Sequence, residues 1–155
     1  MSRAFVKETD DAGEPLPELA VSPHPNFVTP EGLAQIEAKV AALEAELRAA
    51  RASDDKPALA RVNRDLRYWT QRRASARVVP PPAVPPEIVR FGTVVTVRFA
   101  DAAVRTFKLV GEDEADPGRG LVSWAAPLGR ALTGKAIGDE VAVMGKPAEI
   151  AALAR

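Results

Sequence analysis

Two stretches of this 155-residue chain carry the same apolar spacing, and that spacing leaves few folds open. Leu33, Ile36, Val40, Leu43, Leu47 and Ala50 stand 3, 4, 3, 4 and 3 residues apart, and Leu59, Val62, Leu66, Trp69, Arg73 and Ala76 repeat those intervals. Such a repeat puts one narrow stripe along a helix, the seam of a helix that packs on a single partner. Thr29 can cap the first helix. Pro30 suits its first position, where a missing N–H would have no partner in any case. The polar break Ser53-Asp54-Asp55-Lys56-Pro57 is short enough for the second helix to turn back on the first. The spacing predicts an antiparallel hairpin over residues 29–78, each arm roughly 33 Å long at the α-helical rise. Neither arm has the wider apolar face that docking on a globular core requires, so the hairpin is expected to project.

Residues 80–86 read Pro-Pro-Pro-Ala-Val-Pro-Pro. Such a run ends the second helix and makes a stiff connector over residues 79–87. Within residues 88–155, strand-like runs occur at 93–99, 104–110, 121–125, 140–144 and 149–153, with turn chemistry at Ala100-Asp101 and Asp116-Pro117-Gly118. Pro127 opens a short helical stretch at 128–132, closed by Gly134. The expected fold class is α+β: an antiparallel two-helix coiled-coil hairpin, then a small antiparallel sheet domain with one short helix. Residues 1–28 hold five acids, two bases and four prolines with no periodic apolar face, and read as an acidic, disordered tail.

Composition narrows the chemistry. The chain has no Cys and one His, which excludes a disulfide framework, a thiolate metal site and a Cys/His nucleophile pair. No apolar run approaches the roughly 18 residues of a membrane span, and the N-terminus lacks a signal-peptide core, so a soluble cytoplasmic protein is expected. The 21 Lys plus Arg against 21 Asp plus Glu sum to zero, but unevenly. Residues 1–28 and 29–55 are each net minus three, residues 56–77 are net plus six, and the remainder balances. Two readings of the basic arm, with Arg61, Arg64 and Arg67 at its centre, stand side by side. Its cations pair with the acidic arm, or they meet an acidic protein groove or a nucleic-acid backbone.

The C-terminal part resembles the Gre family of bacterial transcript-cleavage and elongation factors. The residues that carry the resemblance are Val110-Gly111-Glu112-Asp113-Glu114-Ala115-Asp116, then Ser123, Pro127-Leu128-Gly129-Arg130-Ala131-Leu132 with Gly134-Lys135, and Gly138-Asp139-Glu140-Val141. Phe91-Gly92-Thr93-Val94-Val95, Thr29-Pro30-Glu31-Gly32-Leu33 and Leu66-Arg67-Tyr68-Trp69 also fit, so the likeness spans residues 29–145.

The resemblance implies an FKBP-like fold for the C-terminal domain and RNA polymerase as the partner. In the family this domain docks at the rim of the secondary channel, and tip acids help hold a Mg²⁺ shared with the polymerase during cleavage of a backtracked transcript. The factor is then an accessory, not itself an enzyme, acting as a monomer with nucleic acid met only indirectly. Carried over, the tip candidates are Asp54 and Asp55, and the docking candidates are Trp124, Ala125, Ala126, Pro127, Leu128 and Arg130. The acidic run Glu112, Asp113, Glu114 and Asp116 is either a polymerase contact or a solvated turn. Two departures bear on function: the tip acids are adjacent, where the family has a pair three apart, and both arms are shorter. Asp54 and Asp55 therefore serve as helix caps, or as caps with a metal role. The alternatives are a non-catalytic short-armed channel binder resembling regulators of nucleoside diphosphate kinase, a peptidyl-prolyl isomerase, and a direct nucleic-acid binder.

Overall fold

A computed structural model describes residues 16–155. The first long helix, α1, spans Pro30–Ala52, and the second, α2, spans Lys56–Ser75. Thr29 caps α1, its hydroxyl accepting from the Gly32 N–H at 2.9 Å, and Asp55 caps α2, its carboxylate accepting from the Ala58 N–H at 3.1 Å. Each cap satisfies one of the four amide groups that a helix start leaves without a backbone partner. Ile36, Val40, Leu43 and Ala50 of α1 and Val62 of α2 are buried, so the expected seam forms. Leu33 and Leu47 of α1 and Leu59, Leu66, Trp69 and Ala76 of the second repeat are only half-buried. One seam position differs: Arg73 is exposed, and its neighbour Arg72 is buried instead.

The base of the hairpin carries an element with no local sequence signal. Strand β1 (Phe27–Val28) runs into the cap of α1, and β2 (Arg77–Val78) leaves the end of α2. The two pair in parallel, Phe27 opposite Arg77 and Val28 opposite Val78. Hydrogen bonds from the Arg77 N–H to the Asn26 carbonyl and from the Val79 N–H to the Val28 carbonyl, 2.8 and 2.9 Å, extend this clip on both sides.

The remaining strands are β3 (Val94–Phe99), β4 (Val104–Val110), β5 (Leu121–Ser123), β6 (Glu140–Val143) and β7 (Lys146–Ala154), with the short helix α3 (Pro127–Leu132) between β5 and β6. Their order in the sheet is β5-β4-β3-β7-β6. The sheet is mixed, not wholly antiparallel: β4 and β5 run parallel, joined through turns at Glu112–Glu114 and Pro117–Arg119, while the other neighbours are antiparallel. Alternation along β3 sends Val95 and Val97 into the core with Leu109, Leu132, Val143 and Ile150.

Strand β7 begins three residues before the expected position. It runs through Pro147, which pairs only with Ala142 of β6, because the ladder to β3 stops at Ala148 opposite Phe99. Strand β5 ends two residues early, where the Ala126 N–H turns back to the Ser123 carbonyl at 3.1 Å.

Of the segment expected to be an irregular acidic tail, residues 1–15 lie outside those described. Residues 16–26 carry no regular element and are mostly exposed, yet three of their side chains reach the body. Glu18 pairs with Arg67, the Ser22 hydroxyl donates to Glu112 at 2.9 Å, and Asn26 is buried.

Candidate functional site

Sequence reasoning pointed to three places: the hairpin tip, the acidic run after β4, and the rim around α3. At the tip, Ser53, Asp54 and Asp55 connect the helices. The Asp55 N–H donates to the Ala50 carbonyl at 3.0 Å, and the Ser53 N–H donates to the Ala49 carbonyl at 3.1 Å. This closes α1 through a residue in the left-handed region, Asp54 at φ 48°. Aspartate tolerates that region better than most residues do, which suits it to the turn. The two carboxylates therefore differ in employment: Asp55 holds the start of α2, and Asp54 is exposed, its carboxylate making no hydrogen bond or ion pair among the described residues. Among those residues no cluster of three or more His, Cys, Asp or Glu side chains is placed to hold a metal. A Mg²⁺ at the tip would thus take one uncommitted carboxylate from this chain and its other ligands from a partner.

From Glu112 to Glu114 the acidic run is not a solvated turn. Glu112, Asp113 and Glu114 form a 3₁₀ turn pressed on the base of the hairpin. Asp113 accepts from the Arg72 Nε at 2.6 Å and from the Tyr68 hydroxyl at 2.9 Å. Arg72, 2% exposed, also donates from Nη2 to the Asn26 side-chain oxygen at 2.8 Å, while the Asn26 amide donates to the Arg72 carbonyl at 2.8 Å. Burial, followed by the bond to Asp113, pushes the Tyr68 hydroxyl up to about 12. Glu114 is buried and accepts from the Thr29 hydroxyl at 2.5 Å, so one hydroxyl caps α1 and bonds the sheet domain. Glycine is required at Gly111, where a Cβ would lie 2.4 Å from the Phe27 carbonyl oxygen, whereas a Cβ on Gly32 would lie 2.7 Å from a Glu114 carboxylate oxygen and press on the Thr29 contact. Asp116 stands apart, exposed, its backbone closing the next turn onto Leu121.

At the rim, Trp124 packs inward. Its ring meets Phe27 edge-on at 5.3 Å and His24 at 5.8 Å between centroids, and its indole N–H is buried without a partner among the described residues. Ala125, Ala126 and Leu128 are half-buried, and Pro127 and Arg130 are exposed. Ala126 and Leu128 border an apolar groove of about 310 Å³ floored by Phe107, Val122 and Val143. The Arg105 guanidinium lies over the Phe107 ring at 5.2 Å.

The basic arm is neutralised mostly from outside α1. Arg61 reaches Glu46 at 2.9 Å and Asp65 at 3.8 Å, Arg64 reaches Asp65 at 2.9 Å, and Arg67 reaches Glu18. Glu46 is the single acid of α1 in an ion pair among the described residues. Arg72, Tyr68, Asn26 and Thr29, which knit the hairpin to the sheet, were not candidates. Every bond they make to the acidic run joins residues more than 40 positions apart, and no local pattern reports such pairing.

Residues 84–151 match the family described as "Transcription elongation factor, GreA/GreB, C-term". Transcription elongation factor GreA of Desulfovibrio desulfuricans is 35% identical over 79 residues, 50% of this chain and 49% of that one. The chain thus spans about half the length of that relative. Longer matches exist: GreA of Rhodospirillum rubrum, 30% identical over 143 residues (75% of this chain, 86% of the relative), and GreB of Xanthomonas axonopodis pv. citri, 33% identical over 133 residues (74% and 79%). Among solved structures, the GreA/GreB factor from Nitrosomonas europaea is 24% identical, with a TM-score of 0.41, covering 84% of this chain and 99% of that one. With a C-terminal family match and relatives aligned over more than three quarters of their own length, the chain belongs to the GreA/GreB family of transcription elongation factors.

Proposed function

We propose that this chain is an accessory factor of the bacterial cytoplasm that binds RNA polymerase at the secondary channel, the sheet domain resting on the rim and the hairpin entering. One observation carries the reading: a narrow two-helix hairpin, apolar only along its own seam, stands on a sheet domain whose sequence matches the elongation-factor family. Trp124 supports this rim from beneath and leaves Pro127, Arg130 and the apolar groove as the surface available for docking. Membership does not supply the chemistry of the tip; that rests on residues. With Asp55 committed to the α2 cap, the tip favours channel occupancy without metal donation, as in a short-armed non-catalytic binder. The second reading rests on Asp54 alone, whose free carboxylate could join a Mg²⁺ held by the polymerase and help orient water at the transcript.

Cleavage of a backtracked transcript by purified polymerase separates the two. The expected result is that the wild-type chain competes with an authentic cleavage factor and leaves the transcript intact, and that Asp54→Ala behaves identically. Cleavage by the wild type that Asp54→Ala abolishes would establish metal donation. Absence of any competition would remove the channel from the proposal. Asp55→Asn is the control for charge at the tip, because asparagine keeps the cap.

A further inference from the structure

Two charged residues stand where the pattern of the sheet calls for apolar ones. Residues directly opposite each other in an antiparallel pair share a face. Arg105 of β4 is opposite Val97 and Lys146 of β7 is opposite Val143, and both valines are wholly buried. Two cations therefore rise from the core face of the sheet, at the end where β3 turns into β4 and β6 into β7. Neither is in an ion pair among the described residues. The helix that covers this face, α3, has six residues, of which Leu128 and Leu132 pack on the core.

Where α3 does not reach, that face holds a trough of about 600 Å³, walled by Phe99, Ala103, Met144 and Pro147, with Arg105, Lys146 and Asp101 as its charged groups. Asp101 is already engaged, its carboxylate accepting from the Ala103 N–H at 3.0 Å within the β3–β4 turn. The Arg105 guanidinium lies over Phe107, and its Nη1 donates to the Met144 sulfur at 3.6 Å. Both side chains also line the groove beside Leu128, so their contact stands between the two hollows. Met144 is 72% exposed and holds φ 50° in the two-residue turn ahead of Gly145, a conformation that suits Asn or Gly. A long, adaptable thioether is thus kept at the edge of the trough against the local backbone preference.

We propose that this trough binds a small apolar anion, a hydrocarbon or aromatic body ending in a carboxylate. The body lies against Phe99, Met144 and Pro147, and Arg105 and Lys146 hold the carboxylate. Sites for small molecules have volumes in this range, mainly apolar walls and a few polar groups that fix the ligand's orientation. Charge selects the sign of that ligand: the two free groups are cations, and the one acid is committed to its own turn. A guanidinium also offers a carboxylate two parallel hydrogen bonds, which a neutral head group does not match. A second copy of the chain is a poorer occupant, because a self-complementary contact brings the same two cations in from both sides. Loss of this site would leave the polymerase reading untouched, since the hairpin and Pro127 take no part in it.

The test titrates the ¹⁵N-labelled full chain with sodium octanoate, octanol and octyltrimethylammonium, which share one hydrocarbon body and differ in charge. Octanoate should give saturable shifts confined to amides 99–107 and 143–148, with affinity about tenfold above that of octanol, the gain expected of hydrogen bonds to a charged group. Octyltrimethylammonium should bind most weakly. Arg105→Gln with Lys146→Gln should bring octanoate level with octanol while octanol still binds, and unchanged amide positions of Val95 and Val97 would verify the fold. Met144→Asn suits the turn and should weaken octanoate and octanol alike by about fivefold, as loss of roughly 40 Å² of apolar contact would. Equal affinity of wild type for octanoate and octanol, a preference that survives in the double variant, shifts spread over the molecule, or none at millimolar octanoate overturns the proposal. So do shifts of the same amides with protein concentration alone, which would make a second copy the occupant.

Discussion

Removing the Arg72 side chain leaves Asp113 and Asn26 facing a buried gap with no cation to meet them. Loss of one partner of a buried pair costs about 3–5 kcal/mol, because the remaining charge stays desolvated. Arg72→Ala should therefore lower the urea midpoint sharply at constant slope, while Arg73→Ala, at an exposed position, changes stability by about 0.5 kcal/mol or less. Tyr68 sharpens the same point through pH. Its hydroxyl is neutral when it donates to Asp113, and its folded-state pKa is raised from 10.0 to about 12. A raised pKa contributes stability that is fully present below the unfolded value and lost as pH rises through the folded one. The advantage of wild type over Tyr68→Phe should hold to about pH 10 and fade toward pH 12. Denaturant curves for both chains across that window would read it. A constant difference would mean that neither burial nor the bond to Asp113 raises the Tyr68 pKa in the folded chain.

The helices and strands divide between those that announce themselves and those that do not. The seam of Ile36, Val40, Leu43 and Val62 was legible because hydrophobic periodicity is local, and Val104–Val110 was legible because its residues alternate or favour strands. Leu43→Ala should accordingly cost about 2–5 kcal/mol, the usual range for emptying a buried leucine site. The seam misled at its last turn. Arg73 continues the 3-4 spacing but is exposed, as the polar head of an arginine prefers. Arg72 lies about 80° round the helix from Val62 at 3.6 residues per turn, on a second face that the Glu112–Glu114 turn covers. That face, the β1–β2 clip and the seating of residues 16–26 all depend on distant chain segments, so none has a local signature. The tip shows the opposite: that an acid beside Pro57 caps α2 was readable locally, although the sequence did not say which of Asp54 and Asp55 it is. Asp55→Ala should cost about 1 kcal/mol by thermal melting and Asp55→Asn almost nothing, whereas Asp54→Gly should gain about 0.5 kcal/mol by relieving φ 48°.

For the molecule as a whole, the hairpin and the sheet are coupled through one contact zone, where Gly111 meets the Phe27 carbonyl, Glu114 meets Thr29, Asp113 meets Arg72 and Trp124 meets Phe27. A two-helix hairpin with a single seam buries little apolar surface by itself and is marginal in isolation. Its stability is then borrowed from the sheet domain through this zone, which also aims the hairpin. Gly111→Ala tests the coupling directly. A Cβ there would stand 2.4 Å from a backbone oxygen, which cannot swing aside as a side chain would, so the turn must lift off the hairpin base. The core residues Val95, Val97 and Ile150 lie on strands that do not lead into Gly111. Native-state hydrogen exchange should show amides across Pro30–Ala52 and Lys56–Ser75 losing protection while those of Val95 and Val97 keep theirs, and a single wild-type melting transition should split in two. Uniform loss across both parts would mean that they form one inseparable core, and unchanged protection of the helices would mean that the hairpin stands without the sheet.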